Sequence, residues 1–194
     1  MADLPDNPAV DPSGLLAEIE RLKAELLEAK WQIAELEARA DVDPLTDILN
    51  RRGFDRELLR SLAYVKRYGA PATLVLIDLD GFKAVNDSHG HATGDALLKA
   101  VARQLVSRVR ASDIVARLGG DEFAVLLWNI DETRAVAKAL ELEEAIAAAS
   151  GGEGGIAVGG SAGTVTLDGE KTPGQIVDAA DKAMYARKRE RRGL

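Results

Sequence analysis

Residues 117–128, RLGGDEFAVLLW, read as two short apolar strands joined by Gly119-Gly120, with Asp121 and Glu122 opening the return strand. Tight hairpin turns need positive φ, which glycine reaches without steric cost. Two glycines also leave the backbone open to close approach by a ligand. Carboxylates beside such a gap suit a divalent cation or the movement of a proton. Taken alone, residues of this kind are more often only an acidic surface turn. The rest of the chain decides between the two.

Before the hairpin, residues 72–79 (ATLVLIDL) are apolar almost without interruption until Asp78. A strand apolar on both faces belongs in the middle of a sheet covered by helices. Asp78 and Asp80 stand two apart at its end and share a face. Helical spacing of apolar residues predicts helices over about 52–67, 92–109 and 132–149, with a crossing segment at 81–95. After a glycine loop at 150–155, residues 156–167 read as a strand or a bent pair, and Thr172-Pro173 begins a last helix. The order contains β-α-β-β-α-β. It predicts the α+β, ferredoxin-like arrangement: an antiparallel sheet with helices on one face, the first strand and the hairpin being central neighbours. The end of the first strand then faces Asp121 and Glu122.

The N-terminal part is different. Residues 1–14, with Pro5, Pro8 and Pro12, form a leader. From 15 to 40, Leu15, Ile19, Leu22, Leu26, Ala29, Ile33, Leu36 and Ala40 alternate in steps of four and three. Isoleucine at a and leucine at d predict a parallel two-stranded coiled coil, and so a homodimer through residues 15–40. Asp43-Pro44 ends it, and residues 41–194 form the second domain.

Composition narrows the chemistry. The 194 residues carry a net charge of −7, which argues against broad nucleic-acid binding, and contain no cysteine, which removes disulfides and thiolate metal sites. No apolar run reaches membrane-spanning length and no secretory signal opens the chain, so a cytoplasmic location is expected. There is no GxxxxGK or GxGxxG phosphate loop. His89 and His91 have no third zinc ligand in view. Two acidic tips on neighbouring strands suit hard cations, and paired metals of that kind support phosphoryl transfer.

Six ordered motifs carry a family resemblance: DPLTDILNRR at 43–52, DLDGFKAVNDSHGHATGD at 78–95, RASD at 110–113, GGDEF at 119–123, SAG at 161–163 and DKAMYARK at 181–188. In these the chain resembles the GGDEF domain of diguanylate cyclases. The resemblance implies a polymerase-palm-like fold that binds one GTP per domain. Two domains then face each other to make cyclic di-GMP with release of pyrophosphate. It implies that Asp78, the Leu79 carbonyl and Asp121 hold Mg²⁺ or Mn²⁺, two ions per half-site, and that Glu122 assists deprotonation of the attacking hydroxyl. Asn86 and Asp95 would hydrogen-bond guanine, and His91 would border the nucleotide. Phe82, Lys83, Lys188 and Arg192 would line the phosphates, while Gly119 and Gly120 leave room for the nucleotide. Arg110 and Asp113 match the family's inhibitory product site. The alternative is a non-catalytic module that binds GTP or cyclic di-GMP and signals through its coiled coil. Three features depart from the pattern. Asp47 replaces a glycine, Gly81 replaces a bulkier residue, and Arg187 and Arg191 replace small residues beside Lys188. The added positive charge is expected to tighten triphosphate binding or slow product release.

Overall fold

A computed structural model describes residues 12–150 and 158–191, with the side chains of residues 12, 13, 33–39 and 150 outside that description. Most of the expected leader, the glycine loop at 151–155 and Arg192 therefore lie outside the described residues. The chain divides into two units, Met1–Ala40 and Asp41–Leu194. No described helix is long and apolar enough to cross a membrane.

The first unit contains one helix, α1 (Pro12–Ala40). It starts at Pro12, whose fixed φ suits the first turn. Ion pairs at i,i+3 and i,i+4 line its flank: Arg21 with Glu18 and Glu25, and Lys23 with Glu20. The seam residues Leu15, Ile19, Leu22 and Leu26 are all exposed on the single chain. The side chains of Ile33 and Leu36 are outside the described set.

The second unit runs α2 (Arg51–Tyr68), β1 (Ala72–Asp80), α3 (Phe82–His89), α4 (His91–Ser107), β2 (Ile114–Gly119), β3 (Glu122–Trp128), α5 (Glu132–Ser150), β4 (Gly159–Thr166) and α6 (Pro173–Arg191). Its sheet is antiparallel in the order β2-β3-β1-β4, with β1 and β3 central as the element order predicts.

Two expectations are corrected. Helices cover both faces of the sheet. Val75, Ile77 and Leu79 of β1 pack on one side with Val85, Leu98, Leu105, Leu142 and Ile146, from α3, α4 and α5. Ala72, Leu74 and Leu76 pack on the other with Phe54, Leu58, Ile176 and Met184, from α2 and α6. The cause lies in β1 itself: successive residues are apolar, so both faces need a cover. The crossing segment also holds a helix of its own, α3. Its buried residues are only Phe82 and Val85, too few to show a period.

Two local features bear on the site. Asp47 has φ 59°, a left-handed conformation that glycine adopts freely and that aspartate tolerates, which explains the replacement at that position. At Gly163 of β4, a β-carbon would lie 2.2 Å from the Met184 nitrogen and 2.3 Å from the Ala180 carbonyl of α6. The missing side chain lets α6 lie directly on β4. Lys188, one turn beyond Met184, is thereby carried to the strand ends.

Candidate functional site

The register of the central strands builds the site. Asp78 lies opposite Glu122, and the Leu79 N–H donates to the Asp121 carbonyl at 3.2 Å. The expected meeting of Asp78, Leu79 and Asp80 with Asp121 and Glu122 is therefore what the sheet produces. From α6, the Lys188 ammonium forms an ion pair with Asp78 and lies 3.8 Å from Asp80. The Ser161 hydroxyl of β4 donates to Asp80 Oδ2 at 2.8 Å, while Asp80 Oδ1 is buried with no hydrogen-bond partner.

Electrostatics set Asp121 apart. Partial burial raises its pKa above the ordinary carboxylate value, and the nearby negative charge of Asp78 raises it further. Its backbone hydrogen bond and the charges of Lys188 and Arg117 offset only part of this. Like charges gathered and partly desolvated fit a divalent cation, which would relieve both penalties. No group of three or more His, Asp or Glu side chains forms a metal cluster among the described residues. The expected set is two carboxylates and a backbone carbonyl, all oxygen donors, so the remaining ligands of an ion would be phosphate and water. On this donor chemistry the residues fit Mg²⁺ or Mn²⁺.

Two arginines that sequence reasoning left without a role hold the turn. Gly119 and Gly120 have φ of 142° and 53°. The Arg117 guanidinium donates to the Gly120 carbonyl at 2.8 and 3.0 Å and pairs with Asp43 at 3.2 Å. Burial alone would raise the pKa of Asp43, but hydrogen bonds from Thr46 and the charge of Arg117 outweigh it and hold the pKa low. Arg51 donates to the Leu118 carbonyl at 3.0 Å and to Glu122 Oε2 at 3.3 Å. The first motif, residues 43–52, is thus a brace for the GGDEF turn. Its signal in the sequence was a pair of charged residues, Asp43 and Arg51, outside any apolar period.

Arg187 and Arg191 correct another expectation. They are not free positive charge awaiting phosphate. Both pair with Glu143 of α5, at 3.5 and 2.6 Å.

A second group forms around α3 and α4. Asn86 is half-buried, and its Oδ1 has no hydrogen-bond partner. Phe82 is buried in the core beneath it. A β-carbon at Gly94 would fall 1.9 Å from Asn86 Oδ1 and 3.2 Å from the Phe82 ring. Gly94 therefore leaves the space that Asn86 occupies. Because the obstacle is the tip of a side chain, Gly94→Ala should fold but push Asn86 aside. Any ligand held by Asn86 Oδ1 should bind about tenfold more weakly, the scale of one lost polar contact, with Tm nearly unchanged. Titration with GTP and thermal melts check this. Lys83, His91 and Asp95 are exposed and form no ion pair among the described residues.

The Arg110–Asp113 pair lies at the far end of the hairpin. Asp113 accepts hydrogen bonds from the backbone N–H groups of Arg110, at 2.9 Å, and Trp128, at 3.0 Å. Its carboxylate is spent on the backbone, and among the described residues it forms no ion pair with the Arg110 guanidinium. A cavity of about 360 Å³ here is lined by Arg108, Arg110, Asp113, Arg134, Lys138 and Glu141, among others.

The sequence matches the family described as "Diguanylate cyclase, GGDEF domain" over residues 40–193. It is 33% identical over 180 residues to the diguanylate cyclase DosC of Escherichia coli, covering 90% of this chain and 39% of that one. It is 36% identical over 190 residues to the diguanylate cyclase TpbB of Pseudomonas aeruginosa, covering 94% and 42%. This chain thus spans well under half of each relative. Among solved structures, the coiled coil and GGDEF domain of DgcB from Caulobacter crescentus, in complex with c-di-GMP, superposes with a TM-score of 0.76 at 26% identity. That match covers 91% of this chain and 95% of that one.

Proposed function

The chain belongs to the GGDEF-domain family of diguanylate cyclases, and on that premise we propose that it condenses two GTP molecules into cyclic di-GMP, as a dimer and with a divalent metal. The observation that carries the proposal is the pairing of Asp78 with Glu122, which sets two acidic strand ends side by side beneath Lys188.

In the proposed reaction the 3′-hydroxyl of one GTP attacks the α-phosphorus of the other. The new O3′–P bond forms as the bond to the bridging oxygen breaks and pyrophosphate leaves. A second such step closes the ring. Glu122, held by Arg51, is the candidate acceptor of the hydroxyl proton. Asp78, the Leu79 carbonyl and Asp121 would hold two Mg²⁺ or Mn²⁺ ions, which supply charge neutralisation at the phosphates when bound. Lys188 leaves Asp78 for phosphate as the nucleotide enters, and Arg192, outside the described residues, is the further candidate for a phosphate contact. Asn86, with its free Oδ1, and Asp95 read the guanine edge. His91, Lys83 and the Phe82 backbone border the nucleotide, and Gly119 and Gly120 give it room. Each domain offers one half-site, so two copies must meet, and residues 15–40 supply the contact as a parallel coiled coil. A GTP-consuming reaction places the domain in the cytoplasm, with nucleotides rather than nucleic acid as its ligands.

The test is direct. Purified protein with GTP and Mg²⁺ should yield cyclic di-GMP by chromatography. Absence of product, even with Arg110→Ala, overturns the reading.

Product inhibition is part of the proposal. Arg108, Arg110, Arg134 and Lys138 give the cavity beside Asp113 the charge that a cyclic dinucleotide requires. Glu141 opposes it, pairing with Lys138 at 3.0 Å and Arg108 at 3.7 Å. Glu141→Gln should release both cations and lower the inhibitory concentration of cyclic di-GMP about threefold to tenfold, with initial rates unchanged. Titrating product into the rate assay measures this.

A further inference from the structure

Glu143 is 2% exposed and carries no role in the reaction above. It projects from α5, whose apolar residues Leu142 and Ile146 cover one face of the sheet. Its partners Arg187 and Arg191 come from α6, on the other face. The two helices meet around the edge strand β4. There, Glu143 Oε1 accepts the Ala162 N–H at 2.9 Å, and Arg191 donates to the Gly160 carbonyl. Arg191 also lies 3.9 Å from Asp80.

The geometry points to Glu143 as a positioning residue for Lys188. The inference rests on the proposed function, since it takes Lys188 as the phosphate-binding cation. Residues 187, 188 and 191 share the last turns of α6, and a helix end frays unless it is tied down. Arg187 and Arg191 flank Lys188 and are both fixed to one buried carboxylate. Among the described residues of this turn, Lys188 is the cation that pairs with Asp78. Breaking a buried ion pair by removing one charge is costly because the other is left uncompensated. The turn that carries Lys188 would then lose its tether to α5 and hold the ammonium at the strand ends less firmly.

Glu143→Gln separates the two jobs of the side chain, since glutamine still accepts the Ala162 N–H but does not pair with arginine. We expect the KM for GTP to rise about tenfold with kcat changed less than about threefold, the pattern of lost ground-state phosphate binding. The decisive readout is the same substitution in a Lys188→Ala background, where it should change KM less than about twofold, because coupled residues are non-additive. Binding of the non-reacting analogue with a methylene between the α- and β-phosphates, followed by calorimetry, should show the same coupling. Equal losses in both backgrounds would mean that Glu143 only supports the fold, and would overturn the inference. If Glu143→Gln does not fold, Arg191→Ala, at a partly exposed site, takes its place with the same expected coupling. Should the wild-type protein bind GTP without forming product, the proposed reaction fails while the analogue binding still decides the role of Glu143.

Discussion

Asp121→Asn is expected to abolish turnover while making the metal-free domain more stable. The two effects share one cause. Burial and the charge of Asp78 raise the Asp121 pKa in the folded state. A raised carboxylate pKa means that the folded state holds its proton more tightly than the unfolded chain. Its contribution to stability is complete below the unfolded value of about 3.9 and is lost as pH rises through the folded value. At neutral pH the charge is a cost that the domain carries. Asparagine keeps the shape and removes the cost, so Tm without metal should rise by about 1–3 °C, corresponding to less than about 1 kcal/mol. The same charge is what a divalent ion would use. Its loss should lower kcat by at least about 10³-fold, because metal stabilisation of phosphoryl transfer is worth several kcal/mol and each 1.4 kcal/mol is a factor of ten. Mg²⁺ should raise the Tm of the wild type but not of the variant. Thermal melts with and without Mg²⁺, beside the turnover assay, check both halves. A variant that keeps its activity removes Asp121 from the metal site.

Removing residues 1–40 should have the next largest effect. Leu15, Ile19, Leu22 and Leu26 are between 45% and 56% exposed on the single helix, an apolar seam that a second copy would bury. Leu16, Leu27 and Trp31, at 63%, 59% and 71%, lie off that seam and remain open. Tethering two half-sites gives an effective concentration in the millimolar range. At micromolar protein, the shortened chain should therefore turn over about 100-fold more slowly and recover as its concentration rises. A rate per molecule independent of concentration in the shortened chain would overturn the two-half-site reading. Inserting one to seven residues before Asp41 should make activity vary with helical phase, whereas a flat response would show that the seam does not orient the domains.

The legible parts of this molecule are those encoded by neighbours in sequence. The unbroken apolar run of β1, the Gly-Gly turn and the heptad steps each depend on residues within a few positions of one another. Their periods can be read without knowing what packs where. The order of elements then restricted the topology enough to place Asp78 beside the GGDEF turn. The segment containing α3 was missed because two apolar residues make no period. Helices were assigned to one face because the fold template was followed over the two-sided pattern of β1 itself.

For the turn at 117–128, the sequence by itself determined the hairpin, the glycine conformations and the presence of two acids at its tip. Tertiary structure alone decided what surrounds them. Arg51 on Glu122, Arg117 on Asp43, and Arg191 on Glu143 join residues 71, 74 and 48 positions apart. An arginine shows no period and many acids are within its reach. Which carboxylate it meets depends on how helices from opposite faces close around the sheet, and only the packed core sets that.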